Sequence, residues 1–510
     1  MTVVKGRYPG LAVWLFKNVG RSTLSGASVS ALPVSQRYRG QTPALEVTKF
    51  IGEQGVVNVN KSIHEPAGSF TIDFMDRLVQ ESADSIYGLF EPMDMVEIRM
   101  TASAYKAPFP IMMRGFISHV SRAQSISSDG RPMRKVTISG QDYGKIWQID
   151  NIYYNPWMPD ENNYITTFKL YTRFGIAFDT SSAGTLVRSV FNSIINPFID
   201  NMRSNPPTAA LGGNSPLLDF TLDVQTEGGN VAPFGVNDWQ GGSIHALLKQ
   251  YCDVGCWNEL FVEDRDAGAW GPAGPYVVYR PNPYIVAGGD VSNPASYIQA
   301  MTKARLPAAT AISSSDIISL EVSRSDENVA NYFWVEAPSY NMNFDWLGKA
   351  MAGDSGPANT FIITGYGNVD STLYGFKRMA EQTSQLGPMN RSAGNGVNKA
   401  DQKVDQGDAL NWIGARRADL YHQNRDNVVF ESGSIRIVGN QAVRAGTYLL
   451  VTHGNMTSTY YVPTVSHSFT PFGAYITTAT IERGTGFIDR AGKEGKRDSP
   501  YLAELVDTQT

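Results

Sequence analysis

Runs of alternating apolar and polar residues constrain what this chain can fold into more than any other feature. In residues 69–74, Phe70, Ile72 and Phe74 alternate with Ser69, Thr71 and Asp73. A period of two belongs to a strand with one buried and one free face. Six strand-like runs fall between residues 45 and 149, at 46–51, 56–60, 69–74, 93–100, 115–120 and 135–139. Turn residues such as Asp129 and Gly130 separate them, as antiparallel pairing requires. A small barrel or sandwich is expected there. Strand patterning returns at 317–322 and 331–336, then at 434–438, 447–452, 460–469 and 475–483. In the run 460–469, Val465, His467 and Phe469 lie on one side, with Thr464, Ser466 and Ser468 on the other.

The stretches between read differently. Leu186, Val187, Val190, Phe191, Ile194, Ile195 and Phe198 fall at helical spacing, with Ser181 or Ser182 as the cap. Ile244, Leu247, Leu248 and Tyr251 share a second helical face. Two further helices are expected, one carrying Leu373, Phe376, Ala380 and Thr383, the other Leu410, Ile413, Arg417, Leu420 and Tyr421. Residues 389–402 are rich in Gly, Asn and Ser and read as a mobile loop. The fold class is therefore mainly β with α+β insertions: two tube-like antiparallel β-barrels, a mixed α/β insertion and a small helical segment. The first barrel, with an N-terminal extension, takes residues 1–145, and the mixed insertion 146–310. The second barrel takes 311–345 and 425–490, the helical insertion 346–424, and a polar tail 491–510.

A length of 510 residues suggests three or four domains. Charged residues make up only 18%, which suits a protein that buries much surface, including against partners. A net charge of −5 and a pI of 5.8 do not give the basic footprint of a nucleic-acid-binding domain. A mildly acidic chain is still compatible with lining a DNA channel. The apolar run 11–16 is stopped by Lys17 and reads as a strand rather than a signal peptide. With no apolar stretch near 18 residues, membrane insertion is not expected, and folding in a cytoplasm is. Cys252 and Cys256 are too few for a disulfide framework, and His245 nearby supplies no fourth ligand for a metal. They read as small buried hydrophobes.

No motif for a catalytic centre emerges. Gly353-Asp-Ser-Gly356 is not a nucleophile elbow, and neither H-E-x-x-H nor a Walker A loop occurs. The six histidines are scattered. His119 and His467 sit in strands and read as structural groups. Asp73, Asp76, Glu259, Glu263 and Asp264 offer carboxylate pairs of the kind glycoside hydrolysis uses, and read as solvated surface acids in a chain with 48 of them. Aromatics over 147–164 suit packing better than stacking on sugars or bases. No catalytic residue, cofactor or metal is assigned. A carbohydrate-active or glycan-binding protein acting on the bacterial envelope remains the alternative function.

The two β regions share an order of strand types. Each has a long strand carrying Ile117-Ser-His119 or Val465-Ser-His467, and ends through a turn in an alternating strand, 135–139 or 475–483. Two unrelated β domains are the competing reading. If the unit is duplicated, three copies present six similar units around an axis. The order of elements, and above all the stretch 446–483, resembles the baseplate hub proteins of contractile-tailed bacteriophages. The N-terminal half of type VI secretion spike proteins is similar in architecture. The resemblance covers roughly 40–145 and 315–490, and residues 150–310 match nothing in it.

The resemblance implies a homotrimer at the end of the tail tube, with two tube-like barrels per chain. The tube or a tube adaptor lies above, the spike or tip below, and wedge proteins around. Phage DNA passes through without specific binding, so the channel face is expected to carry small polar and acidic side chains. In the tail, Tyr501, Leu502, Leu505 and Val506 form a short apolar patch and are the candidate partner-docking residues.

Overall fold

The computed structural model describes residues 8–17, 44–152 (less 54, 83, 106–107, 127–129, 131 and 150), 181–204, 217–231 (less 230), 242–284 (less 269–270), 305–336 (less 306), 361–385 (less 363–366) and 399–486 (less 454–455). The first region supplies β1 (Gly10–Phe16), β2 (Ala44–Glu46), β3 (Val57–Ser62), β4 (Ser69–Met75), β5 (Met95–Thr101), β6 (Ile111–Ile126) and β7 (Pro132–Asp142). They pair in the order β3-β4-β7-β6-β5-β1-β2. Alternation seats Val57, Val59, Phe70, Ile72, Phe74, Val136 and Ile138 in one core with Val13, Ile98 and Ile117. Burying each large side chain contributes about 1.5–3 kcal/mol. The run 46–51 departs from expectation. It is mostly a tight helical turn, Thr48–Phe50, because Val47 and Ile51 both enter the core and are four residues apart.

The middle of the chain adds β8 (Asn151–Ile152), β9 (Thr221–Val224), β10 (Gly242–Ser243), β11 (Asn258–Arg265) and β12 (Gly274–Pro281). β11, β12 and β9 form a three-stranded sheet. The helix Ala183–Val190 runs through a π turn, Phe191–Ile195, into Asn196–Ser204, and Ser182 caps it by accepting from Thr185 N at 3.0 Å. The helix Ile244–Tyr251 is capped the same way by Ser243. Both bury the apolar faces expected of them, against Trp147, Phe220 and Leu260.

The last region supplies β13 (Ala309–Ser313), β14 (Ile317–Ser323), β15 (Tyr332–Glu336), β16 (Phe361–Ile362), β17 (Arg378–Gln382), β18 (Glu431–Val438), β19 (Thr447–His453), β20 (Met456–Phe469) and β21 (Tyr475–Gly484). Six of these run β14-β18-β21-β20-β19-β13. β15 joins β16 and β17 in a separate sheet instead. The helix expected over 373–383 is a single turn, Ser371–Tyr374, followed by strand β17. Gly375, at φ +70°, breaks the helix, and the Asn331 side chain brackets the turn from Gly375 O to Lys377 N. Leu373 and Phe376 are left exposed. The helix expected around 410–421 spans Lys399–Asn424, so it takes in the end of the loop read over 389–402. Residues 389–398 and most of 147–180 lie outside the described residues.

Candidate assembly surface

Listing each path from the strand that begins it, the first region reads β3-β4-β7-β6-β5-β1 and the last β14-β18-β21-β20-β19-β13. Taken in chain order, the strands correspond one to one: β1 with β13, β3 with β14, β4 with β18, β5 with β19, β6 with β20, β7 with β21. Each long strand carries one extra residue against its hairpin partner, between Ile117 and His119 in β6 and between Tyr461 and Thr464 in β20. The units differ in two respects. β1 meets β5 antiparallel whereas β13 meets β19 parallel, and β2 has no counterpart.

The units join through β20 and β3, which pair antiparallel from Thr464 opposite Ser62 to Phe469 opposite Val57. The result is one surface of eight strands, β14-β18-β21-β20-β3-β4-β7-β6. Register carries a polar rung across seven of them: Ser319, Arg436, Thr478, Ser466, Asn60, Ser69 and Gln141. The opposite face carries rungs such as Phe469, Val57, Ile72, Ile138 and Val120. The polar face carries mostly small residues. Its charges are balanced rather than acidic, with Glu321 and Arg436 on the same face and Asp73 paired to Lys135 at 2.8 Å.

The sheet β11-β12-β9 is tied to this seam by charge. Lys61 Nζ bonds Asp142 of β7 and, at 3.0 Å, Asp264 of β11. Burial works against the lysine's charge, but the two carboxylates outweigh it and its pKa is raised. Arg280 of β12 binds Glu259 at 2.8 Å and donates to Gly446 O at 2.7 Å, and Tyr461 of β20 donates to the same glutamate. Ile63, Phe261, Val278, Tyr448 and Tyr461 close the joint. Glu259 and Asp264, expected as solvated surface acids, are buried here because each is paired to a cation, and the sequence reading passed over the other residues. Their signal is parity: Lys61 continues the inward series Val57, Val59, and Glu259 and Arg280 stand inside otherwise buried strands.

The five acids considered for hydrolysis all hold cations: Asp73 with Lys135, Asp76 with Arg122, Glu259 with Arg280, Glu263 with Arg265, Asp264 with Lys61. His119 and His467 do not occupy matching places. Counted from the bulge, His119 is the first residue and His467 the fourth, and His119 is exposed on the polar face while His467 is buried. Burial lowers the His467 pKa to about 3. His245 packs on Trp147, its ring centre 4.9 Å away, and burial lowers its pKa to about 4. Cys252 is buried and Cys256 half-buried, both free, and burial pushes both thiols up. Tyr501, Leu502, Leu505 and Val506 lie outside the described residues.

No family model matches the sequence, and no curated protein does. The chain is similar to solved structures of tail and secretion proteins. One is a tail protein from Neisseria meningitidis, 10% identical, TM-score 0.42, covering 93% of this chain and 96% of that one. A second is the 43 kDa tail protein of prophage MuSo2 from Shewanella oneidensis, 9% identical, TM-score 0.40, covering 93% and 98%. A third is an E. coli component of the type VI secretion system, 7% identical, TM-score 0.35, covering 85% and 75%.

Proposed function

We propose that this chain is the structural hub of a bacteriophage tail baseplate. Three copies form a ring of pseudo-sixfold symmetry that joins the sixfold tail tube, or a tube adaptor, to a threefold spike. Wedge proteins surround it, and it lines part of the DNA channel. The observation that carries this reading is the repeated strand path of the two β units. Two like units per chain turn a threefold axis into six near-equivalent positions. The polar face then suits a channel. DNA is held mainly by cations on its phosphates, and the face offers mostly Ser, Thr and Asn, with its charges balanced.

The role is architectural rather than enzymatic, since every acid weighed for hydrolysis is tied to a cation. Assembly takes place in the bacterial cytoplasm and the product is the virion baseplate. Among the described residues no helix is long and apolar enough to cross a membrane. Tyr501, Leu502, Leu505 and Val506 dock the tail on a neighbour. Light scattering on the purified chain and imaging of the particle test the proposal. A trimer located at the end of the tail tube is expected. A chain that stays monomeric at all concentrations and sits elsewhere in the particle refutes it.

A further inference from the structure

We infer that copies of this chain join edge to edge, β6 of one copy pairing antiparallel with β14 of the next in the register that β20 and β3 use within the chain. The inference rests on the ring reading above and specifies its joint.

The long strands β20 and β6 are each shared between two neighbours along one edge. The first half of β20 pairs with β19 and its second half with β3. The first half of β6 pairs with β5 in the same way. Along its second half, from His119 to Ile126, β6 has β7 on one side, and among the described strands none on the other. The strand that should lie there is the counterpart of β3, which is β14. Within its own chain β14 pairs with β18 and, among the described strands, presents its other edge to nothing.

Burial records the missing neighbour. On β20, Val465, His467 and Phe469 are buried beneath the seam. Counted from the bulges, their counterparts on β6 are Val120, Arg122 and Gln124, of which the first is half-buried and the others exposed. On β3, Val57 and Val59 are buried, whereas their counterparts Leu320 and Val322 on β14 are half-buried. Both edges are thus the open versions of edges that are covered inside the chain. An uncovered strand edge is a template for a further strand, and a soluble protein does not leave a long one bare.

The register follows from the ladders. Val57 faces Ile72 as Leu320 faces Ile435, and Asn60 faces Ser69 as Ser323 faces Ser432. Within the chain Ser466 stands opposite Asn60 and Phe469 opposite Val57. Between copies, Ser121 therefore stands opposite Ser323, and Gln124 opposite Leu320. Eight strands from each of three copies close a barrel of roughly 24 strands. At about 4.8 Å between strands and a tilt of about 40°, its backbone radius is about 24 Å, which leaves room for duplex DNA inside the side chains.

Engineered disulfides test the joint. Facing residues of an antiparallel pair have Cα atoms close enough for a disulfide. The double variant Ser121→Cys/Ser323→Cys, mildly oxidised, is expected to shift from the single-chain band to covalent trimers. The out-of-register pair Ser121→Cys/Glu321→Cys, on the same face, is expected to stay in the single-chain band. Each single variant controls for Cys252 and Cys256, and light scattering follows the mass throughout. Trimers that cross-link at 121 and 323 alone support the inference. Trimers that do not cross-link there, or that cross-link equally at 321, overturn this pairing and leave the hub reading standing. A protein monomeric throughout, with no cross-link, overturns both.

Discussion

Acid should unfold this protein in part through one imidazole. His467 Nε2 lies 3.1 Å from Val443 O, which only accepts, so Nε2 carries the proton. Nδ1 then accepts from the hydroxyls of Tyr475 and Thr477, each 3.1 Å away. Burial holds the pKa down to about 3, and the positive charge of Arg444 acts in the same sense. The folded pKa lies below that of the unfolded chain. The stability this group contributes is therefore fully present above about pH 6.5 and is lost as the pH falls toward 3. The slope approaches about 1.4 kcal/mol per pH unit below the unfolded pKa, which integrates to about 2.3 kcal/mol between pH 6.5 and 4.5. Asp142 and Asp253 are shifted up, and Asp419 up to about 6, so these groups act in the opposite sense. The comparison must therefore be with a variant that removes only the imidazole. In His467→Gln an amide can still donate to Val443 O. Denaturant unfolding of both proteins across that range should show the wild type losing about 2–3 kcal/mol more than the variant. Parallel pH profiles would refute a neutral buried histidine.

The remaining predictions concern charge, the tail and chemistry. Glu259→Gln leaves Arg280 buried without its anion and should cost about 3–5 kcal/mol in denaturant unfolding, while adding Arg280→Met should restore most of it. An equal loss in the double variant would show that the pair itself is not the source. Deleting residues 491–510 should leave the unfolding midpoint unchanged and weaken assembly with other baseplate components, measured by co-sedimentation. Purified protein should release no fragments from peptidoglycan, and cleavage abolished by substituting a single acid would overturn the architectural reading.

The sequence made the strands legible because alternation survives wherever one face is buried. It placed every strand of the eight-strand surface and narrowed one helix cap to Ser181 or Ser182, of which Ser182 is the cap, but it named no cap for the helix that Ser243 begins. It misread 373–383 because Leu373, Phe376, Ala380 and Thr383 fit a helical period while the backbone at Gly375 does not continue one. It misread 46–51 because β-branched Val47 and Ile51 suit a strand locally, and only the core says they are needed four residues apart. The resemblance of 117–119 to 465–467 pointed to a repeat through the wrong residues: the repeat lies in strand order and bulge position, to which side-chain identity is nearly indifferent. The edges left open among the described strands were invisible to sequence, since an edge strand and a covered one alternate alike.

The buried charges at the seam have a consequence for register. β20 and β3 lie some 400 residues apart in the chain, as the 3.1 Å bond from Thr464 to Ser62 shows, so no hairpin turn fixes their alignment. A slip of one residue would turn Asn60 into the core and carry Lys61 to the polar face, away from Asp142 and Asp264. Two buried carboxylates without their cation would then cost several kcal/mol. The triad is thus better understood as a lock on alignment than as a source of net stability. In the joint proposed between copies, Arg324 would take the place of Lys61, with Val120 opposite it as Val465 stands opposite Lys61 within the chain. What can fix alignment there is closure itself. In the proposed ring the step within a copy and the step between copies must together make a third of a turn, so once the buried lysine sets the inner step the outer one follows.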